Sequence, residues 1–193
     1  MAGAASRGNL VSTREAILRG ALAVVGEHGV GGLTNRRIVA AAGVSLGTLT
    51  YHFPSQTELL REAMLLFVEE ETAKLGAIVD AYRAAGLTVE QAAAVVEHVI
   101  AQLPFGTDEL GSMELYLQSA RDPGLREASS RCFAAYDELA VTILEALGVP
   151  DPQRLAEPVV ALIAGLQLRR LATGATDVGA AQPLMMLIRG AHS

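Results

Sequence analysis

Residues 34–60 read TNRRIVAAAGVSLGTLTYHFPSQTELL, a stretch that concentrates groups suited to binding rather than to cutting or transferring. Arg36 and Arg37 are adjacent guanidiniums that match phosphates and the acceptor edges of bases. Thr34, Ser45, Thr48, Thr50 and Tyr51 supply hydroxyls, and His52 an imidazole. The groups needed for making or breaking bonds are harder to assemble. The chain has no H-E-x-x-H, no P-loop and no G-x-G-x-x-G opening a helix after a strand. His28, His52, His98 and His192 are far apart with no metal-ligand pairing at i, i+4, and Glu27-His28 and Glu97-His98 are neighbours that face different directions on a helix. Cys132 with His98 is a conceivable nucleophile pair, but it rests on nothing beyond both residues existing. The chain is therefore read as not an enzyme, with no catalytic residue, no metal site and no cofactor.

The elements that must carry these groups are helices. Among the 193 residues, alanine and leucine dominate, aromatics make up 4% and tryptophan is absent, which favours helix over a sheet of β-branched and aromatic side chains. The single cysteine excludes an internal disulfide framework, and a buried structural thiol is the role expected of it. No stretch reaches about 18 uncharged apolar residues, and the N-terminus lacks the apolar run of a secretory signal, so a cytoplasmic protein with no membrane partner is expected. Half of the residues are hydrophobic, enough for a substantial core. The net charge of −6 is unevenly spread: residues 1–56 carry Arg7, Arg14, Arg19, Arg36 and Arg37 against Glu15 and Glu27, a net +3, which leaves −9 to the remainder. That asymmetry points to an anionic partner for the N-terminal segment alone.

Local signals divide the chain. Ser12 and Glu15 form a capping-box pattern that predicts a helix start, and His28-Gly29 its end. After a turn at Gly31-Gly32, Thr34 is placed to cap a short second helix that Gly43 terminates. Ser45 caps a third, brief helix in which Leu49 and Phe53 face one way and which Pro54 stops. Ser55 with Glu58 opens a long fourth helix that runs toward Tyr82, and Thr88 with Gln91 starts the next. Pro104-Phe105-Gly106 closes that one, and the chain restarts near Thr107. Asp122-Pro123 and Asp151-Pro152 each set a cap before a proline, predicting long helices over 123–147 and 152–172, with a short terminal helix around Pro183.

Two short helices joined by a glycine-containing turn, within a three-helix unit, have the pattern of a helix-turn-helix. Leu46, Gly47, Thr48, Thr50, Tyr51 and His52 are then left for other faces, where small residues allow close approach to a major groove and Leu46 can meet a thymine methyl. The helix starts at Thr34 and Ser45 offer N–H groups to phosphates. Beyond the spacing, TNRRIVAAAGVSLGTLTYHFPSQTELL resembles the DNA-binding segment of the TetR family of transcriptional repressors over roughly residues 12–65. The resemblance implies that Thr34 caps its helix and touches a phosphate, that Arg36 reaches a base edge, that Arg37 reaches a base or the backbone, and that Thr48 contacts a base or phosphate. It places Tyr51 and His52 against the DNA backbone. Two positions depart from the family: Thr50 stands where a tyrosine commonly follows G-T-L, and Gln56 where a phosphate-binding lysine commonly starts the fourth helix. Losing that cation lowers affinity and flattens the salt dependence by about one unit of slope. Tyr51, next door, offers a substitute for the missing hydroxyl.

The same resemblance implies an all-α fold with an N-terminal DNA-binding domain over 1–55 and a C-terminal helical domain over 56–193 for effector binding and dimerisation. The dimer would form through helices 123–147 and 152–172 and read a near-palindromic double-stranded operator. PVVALIAGLQL, residues 158–168, suits a helix pair through Ala161, Ala164 and Gly165, and suits an intrachain core equally. Polar residues scattered among apolar faces (His98, Gln102, Glu114, Tyr116, Gln118, Tyr136 and Gln167), with Phe67, Met113, Leu117 and Phe133 as walls, nominate an effector site. From these, Phe67, His98, Met113, Tyr116, Leu117, Phe133 and Gln167 are taken as ligand contacts for a small, mostly apolar molecule whose binding releases DNA. The alternatives are a helical adaptor that binds proteins and, less favoured, a small all-α enzyme.

Overall fold

The computed structural model describes residues 3–83, 86, 88–102, 106–175 and 179–190. Among them every regular element is a helix: α1 Gly3–His28, a 3-10 turn Val30–Gly32, α2 Asn35–Ala42, α3 Leu46–His52, α4 Gln56–Arg83, α5 Val89–Gln102, α6 Thr107–Ser119, α7 Pro123–Ala146, α8 Pro152–Thr173 and α9 Ala181–Gly190. The predicted all-α class holds.

Most boundaries follow the local chemistry. The amide of Arg37 donates to the Thr34 hydroxyl, that of Thr48 to Ser45 and that of Glu58 to Ser55, which satisfies donors that a helix start leaves without an intrahelical acceptor. Thr88 and Gln91 form the full reciprocal box. Gly43 ends α2 at φ 66°, a left-handed conformation that glycine adopts without a Cβ penalty. Three departures are instructive. α1 is helical from Gly3, so Ser12 lies inside it and does not start it; the segment between them holds no proline, the helix continues through Gly8-Asn9, and a capping-box pattern alone does not interrupt a helix. Asp151 precedes α8 in a left-handed conformation at φ 50° and makes no side-chain cap bond. Pro158 lies within α8, which continues past it. The expected closure at Pro104-Phe105 and the side chain of Gln102 lie outside the described residues.

The chain forms two compact units. The first comprises residues 1–70 and 105–132, the second residues 71–104 and 133–193. In the first, α1 packs along α6 and crosses α2, burying Ile17, Leu18, Ala21 and Val25 on α1, Ile38 on α2, Leu49 and Phe53 at α3, and Leu115 on α6. The crossings are close because glycine makes them so. A Cβ on Gly26 would collide with the backbone of Thr107, and one on Gly111 with the carbonyl of Leu22, while at Gly20 it would lie 3.0 Å from the amide nitrogen of Ala42. In the second unit, Ala140 and Leu144 of α7, Leu155, Ala156 and Val159 of α8, and Leu184 and Ile188 of α9 form one apolar core. Val160, Leu162, Ile163 and Leu166 pack against it, so one face of the 158–168 stretch is intrachain core. Ala161, Gly165 and Leu168, spaced along another face, are exposed.

Candidate nucleic-acid interface

α2 and α3 are too short to be stable alone, and each owes its place to a few buried anchors: Ile38 on α2, Leu49 and Phe53 at α3. Seating those anchors turns the remaining side chains outward. Thr34, Arg36, Arg37, Ser45, Leu46, Gly47, Thr50, Tyr51 and Gln56 are exposed, and Thr48 and His52 are half-buried. Leu46 is 55% and Tyr51 79% exposed.

Hydrogen bonding separates these groups into committed and available. The Thr50 hydroxyl donates back to the carbonyls of Leu46 and Gly47, both at 3.1 Å, so this threonine spends its donor within its own helix. Ser45 and Thr48 share a hydroxyl contact at 2.8 Å, which fixes both oxygens at the start of α3. Arg37 donates from one Nη to the Gly32 carbonyl at 2.6 Å, tying α2 to the 3-10 turn and leaving the rest of its fork to face outward. Tyr51 meets the edge of the His52 ring at 5.2 Å between centroids.

The charge reading needs revision. Arg14 is paired with Glu62, and Arg19 with Glu70 at 2.5 Å and Glu15 at 3.5 Å. The hydrogen bond to Glu70 raises the pKa of Arg19 further. A cut at Gln56 therefore counts these arginines without their partners. Residues 57–70 hold Glu58, Glu62, Glu69 and Glu70 against Arg61, a net −3 that cancels the +3 before them. Within residues 1–56, Arg14 and Arg19 are thus engaged with carboxylates, while Arg36 and Arg37 are exposed on α2. Arg14 and Glu62 are functional candidates that sequence reading did not single out; nothing distinguishes them in sequence from other surface charges.

The nominated effector contacts fall in both units. Phe67, Met113, Tyr116 and Leu117 belong to the first, where Phe67, Met113 and Tyr116 are half-buried and Leu117 is 65% exposed. His98, Phe133 and Gln167 belong to the second; His98 and Phe133 are exposed and Gln167 half-buried. Cys132 is fully buried with its thiol 3.7 Å from the Met64 carbonyl, and burial pushes its pKa up to about 11, the reverse of what a nucleophile requires. Among the described residues, no helix is long and apolar enough to cross a membrane, and no group of three or more His, Cys, Asp or Glu is placed to hold a metal ion.

Comparison with known proteins bears on both parts of the chain. Residues 17–63 match the family model described as bacterial regulatory proteins, tetR family, and residues 83–191 that described as tetracyclin repressor-like, C-terminal domain. The HTH-type transcriptional regulator CymR of Pseudomonas putida is 28% identical over 170 residues, 83% of this chain and 80% of the relative. A member of the TetR family from Streptomyces coelicolor A3, SCO1917, superposes with a TM-score of 0.71 at 28% identity, covering 91% of this chain and 97% of that one. The multidrug binding protein EbrR complexed with imidazole does so with a TM-score of 0.69 at 30% identity, covering 90% and 93%.

Proposed function

The chain belongs to the tetR family of bacterial regulatory proteins, and from that premise we propose that it is a repressor that binds a near-palindromic operator as a homodimer and is released by a small, mostly apolar effector. One observation carries the reading: the buried anchors Ile38, Leu49 and Phe53 leave Arg36, Leu46, Gly47 and Tyr51 outward on the two helices of the helix-turn-helix. In this reading Arg36 reads a base edge, Arg37 a base or phosphate, Leu46 and Gly47 allow close groove approach, and Tyr51 lies along the backbone. Thr34, Ser45, Thr48, Thr50, His52 and Gln56 complete the contact surface, with Thr50 acting through helix geometry more than through its hydroxyl. Residues 1–55 are the DNA-binding division and 56–193 the effector and dimer division. The protein works in the cytoplasm, where its operator is, and catalyses no reaction.

A seven-residue recognition helix touches few base pairs, so affinity at cellular salt calls for two copies spaced about 34–36 Å apart. α7 and α8 are the dimer helices in this reading, supported by the exposed small-residue face of α8. The multidrug binding protein EbrR is complexed with ethidium and with malachite green; this supports an effector of aromatic, largely apolar character for the 56–193 division. Effector binding shifts the population toward a state that misplaces the two recognition helices, within the limit of its differential affinity. The deciding experiment is selection of sites from a random duplex pool at near-physiological salt. Enriched near-palindromes are expected; a folded protein that enriches nothing returns the chain to the adaptor reading.

A further inference from the structure

At the far end of α3 a single side chain joins three elements. Arg14, on α1, donates from Nη1 to the His52 carbonyl at 3.1 Å, pairs through Nη2 with Glu62 of α4, and lays its guanidinium 4.4 Å from the centroid of the Phe53 ring. His52 closes α3 and Phe53 is its C-cap. The last carbonyls of a helix have no intrahelical donor, and its C-terminus carries partial negative charge, so a cation there supplies both the missing donor and a favourable field. α3 has only seven residues, well short of the roughly 12–15 of a helix stable on its own, and Pro54 follows at once, so this end depends on tertiary contacts.

From this geometry we propose that Arg14 is a positioning residue for operator recognition, a clamp that sets the orientation of α3 against α1 and α4 without itself contacting DNA. The inference rests on the DNA-binding reading above. The planar fork is what the arrangement uses: one nitrogen holds the carbonyl, another the carboxylate, and the flat face covers the aromatic ring. Lysine has one donor centre and cannot do all three. Arg19 provides an internal control, since it joins α1 to Glu70 of α4 and, among the described residues, its hydrogen bonds go to Glu15 and Glu70 and not to α3.

The experiment compares wild type, Arg14→Gln, Arg14→Lys, Glu62→Gln and Arg19→Gln on the duplex that wild type selects, measuring Kd across a salt series together with thermal melting and amide hydrogen exchange of α3. Arg14→Gln is expected to lose affinity about ten-fold, the scale of one charge-assisted hydrogen bond, with faster exchange at Phe53 and an unchanged salt slope. Arg14→Lys keeps the charge near Glu62, retains the fold, and still binds weakly. Arg19→Gln binds like wild type. A salt slope reduced by about one would make Arg14 a phosphate contact and overturn the clamp, as would equal losses in Arg14→Gln and Arg19→Gln, or wild-type affinity in Arg14→Lys. Should Arg14→Gln not fold, Arg14→Lys decides alone. Failure of wild type to select any sequence sinks the DNA reading and the clamp's role with it, whereas selection by wild type with unaltered Arg14 variants sinks only the clamp.

Discussion

Arg36 and Arg37 look interchangeable in sequence, yet their surroundings separate them. Arg37 is partly engaged with the Gly32 carbonyl, while Arg36 is exposed beside it on the first turn of α2. Arg36→Ala should cost about 1–3 kcal/mol of binding and relax base preference at one symmetric pair of operator positions; a uniform loss across all sequences would make it a phosphate contact. Cys132 supports a prediction about pH. Its folded pKa of about 11 lies above the 9.0 of an ordinary thiol. The unfolded chain then releases this proton first, so the stability linked to the neutral thiol is complete below pH 9 and is lost as pH rises toward 11. Cys132→Ala should flatten the fall in denaturant midpoint between pH 9 and 11 relative to wild type; parallel pH profiles would mean that the thiol is not held neutral by burial. Thr34, Ser45, Ser55 and Gly43 were legible as caps because each acts on atoms within a few residues of itself. Arg14 was not legible, because its partners lie 38 and 48 residues away.

At the scale of elements, two glycines matter more than their flexibility suggests. Gly26 and Gly111 let α1 and α6 approach until backbone meets backbone, so a methyl group at either must force the helices apart. Gly111→Ala should destabilise by about 1–3 kcal/mol. Gly76→Ala in α4 has open space around the new methyl, and should be neutral or stabilise by about 0.5–1 kcal/mol. Calorimetry on both variants tests the close crossing, and a similar shift in Tm for the two would refute it. Neither glycine carries a mark in sequence, since a helix-interior glycine reads as a local weakness until its neighbour is known. The helix starts and the proline-led α7 and α8 were readable, whereas the length of α1 was not: Ser12 has a capping pattern, and the chain upstream is already helical.

For the whole molecule, the dimer proposal makes the exposed face of α8 the surface to perturb. Ala161→Glu combined with Leu168→Glu should leave helicity and melting of the monomer close to wild type while shifting sedimentation to the monomer and abolishing operator binding, because charged residues on a buried helix contact leave unpaired carboxylates. Retention of a dimer with both glutamates would move the interface elsewhere. What the sequence by itself determined was local: the helical class, the caps and stops, and a two-helix segment whose residue types mark it as a DNA reader. Those features depend on period, propensity and hydrogen bonds that close within one turn. Tertiary structure alone decided which cations face outward, which arginine supports the recognition helix, that α6 belongs with α1, and that one face of 158–168 is core while another is open. Each of these depends on residues distant in the chain, and a charge, a glycine or an apolar run takes its meaning from the atoms that folding places beside it.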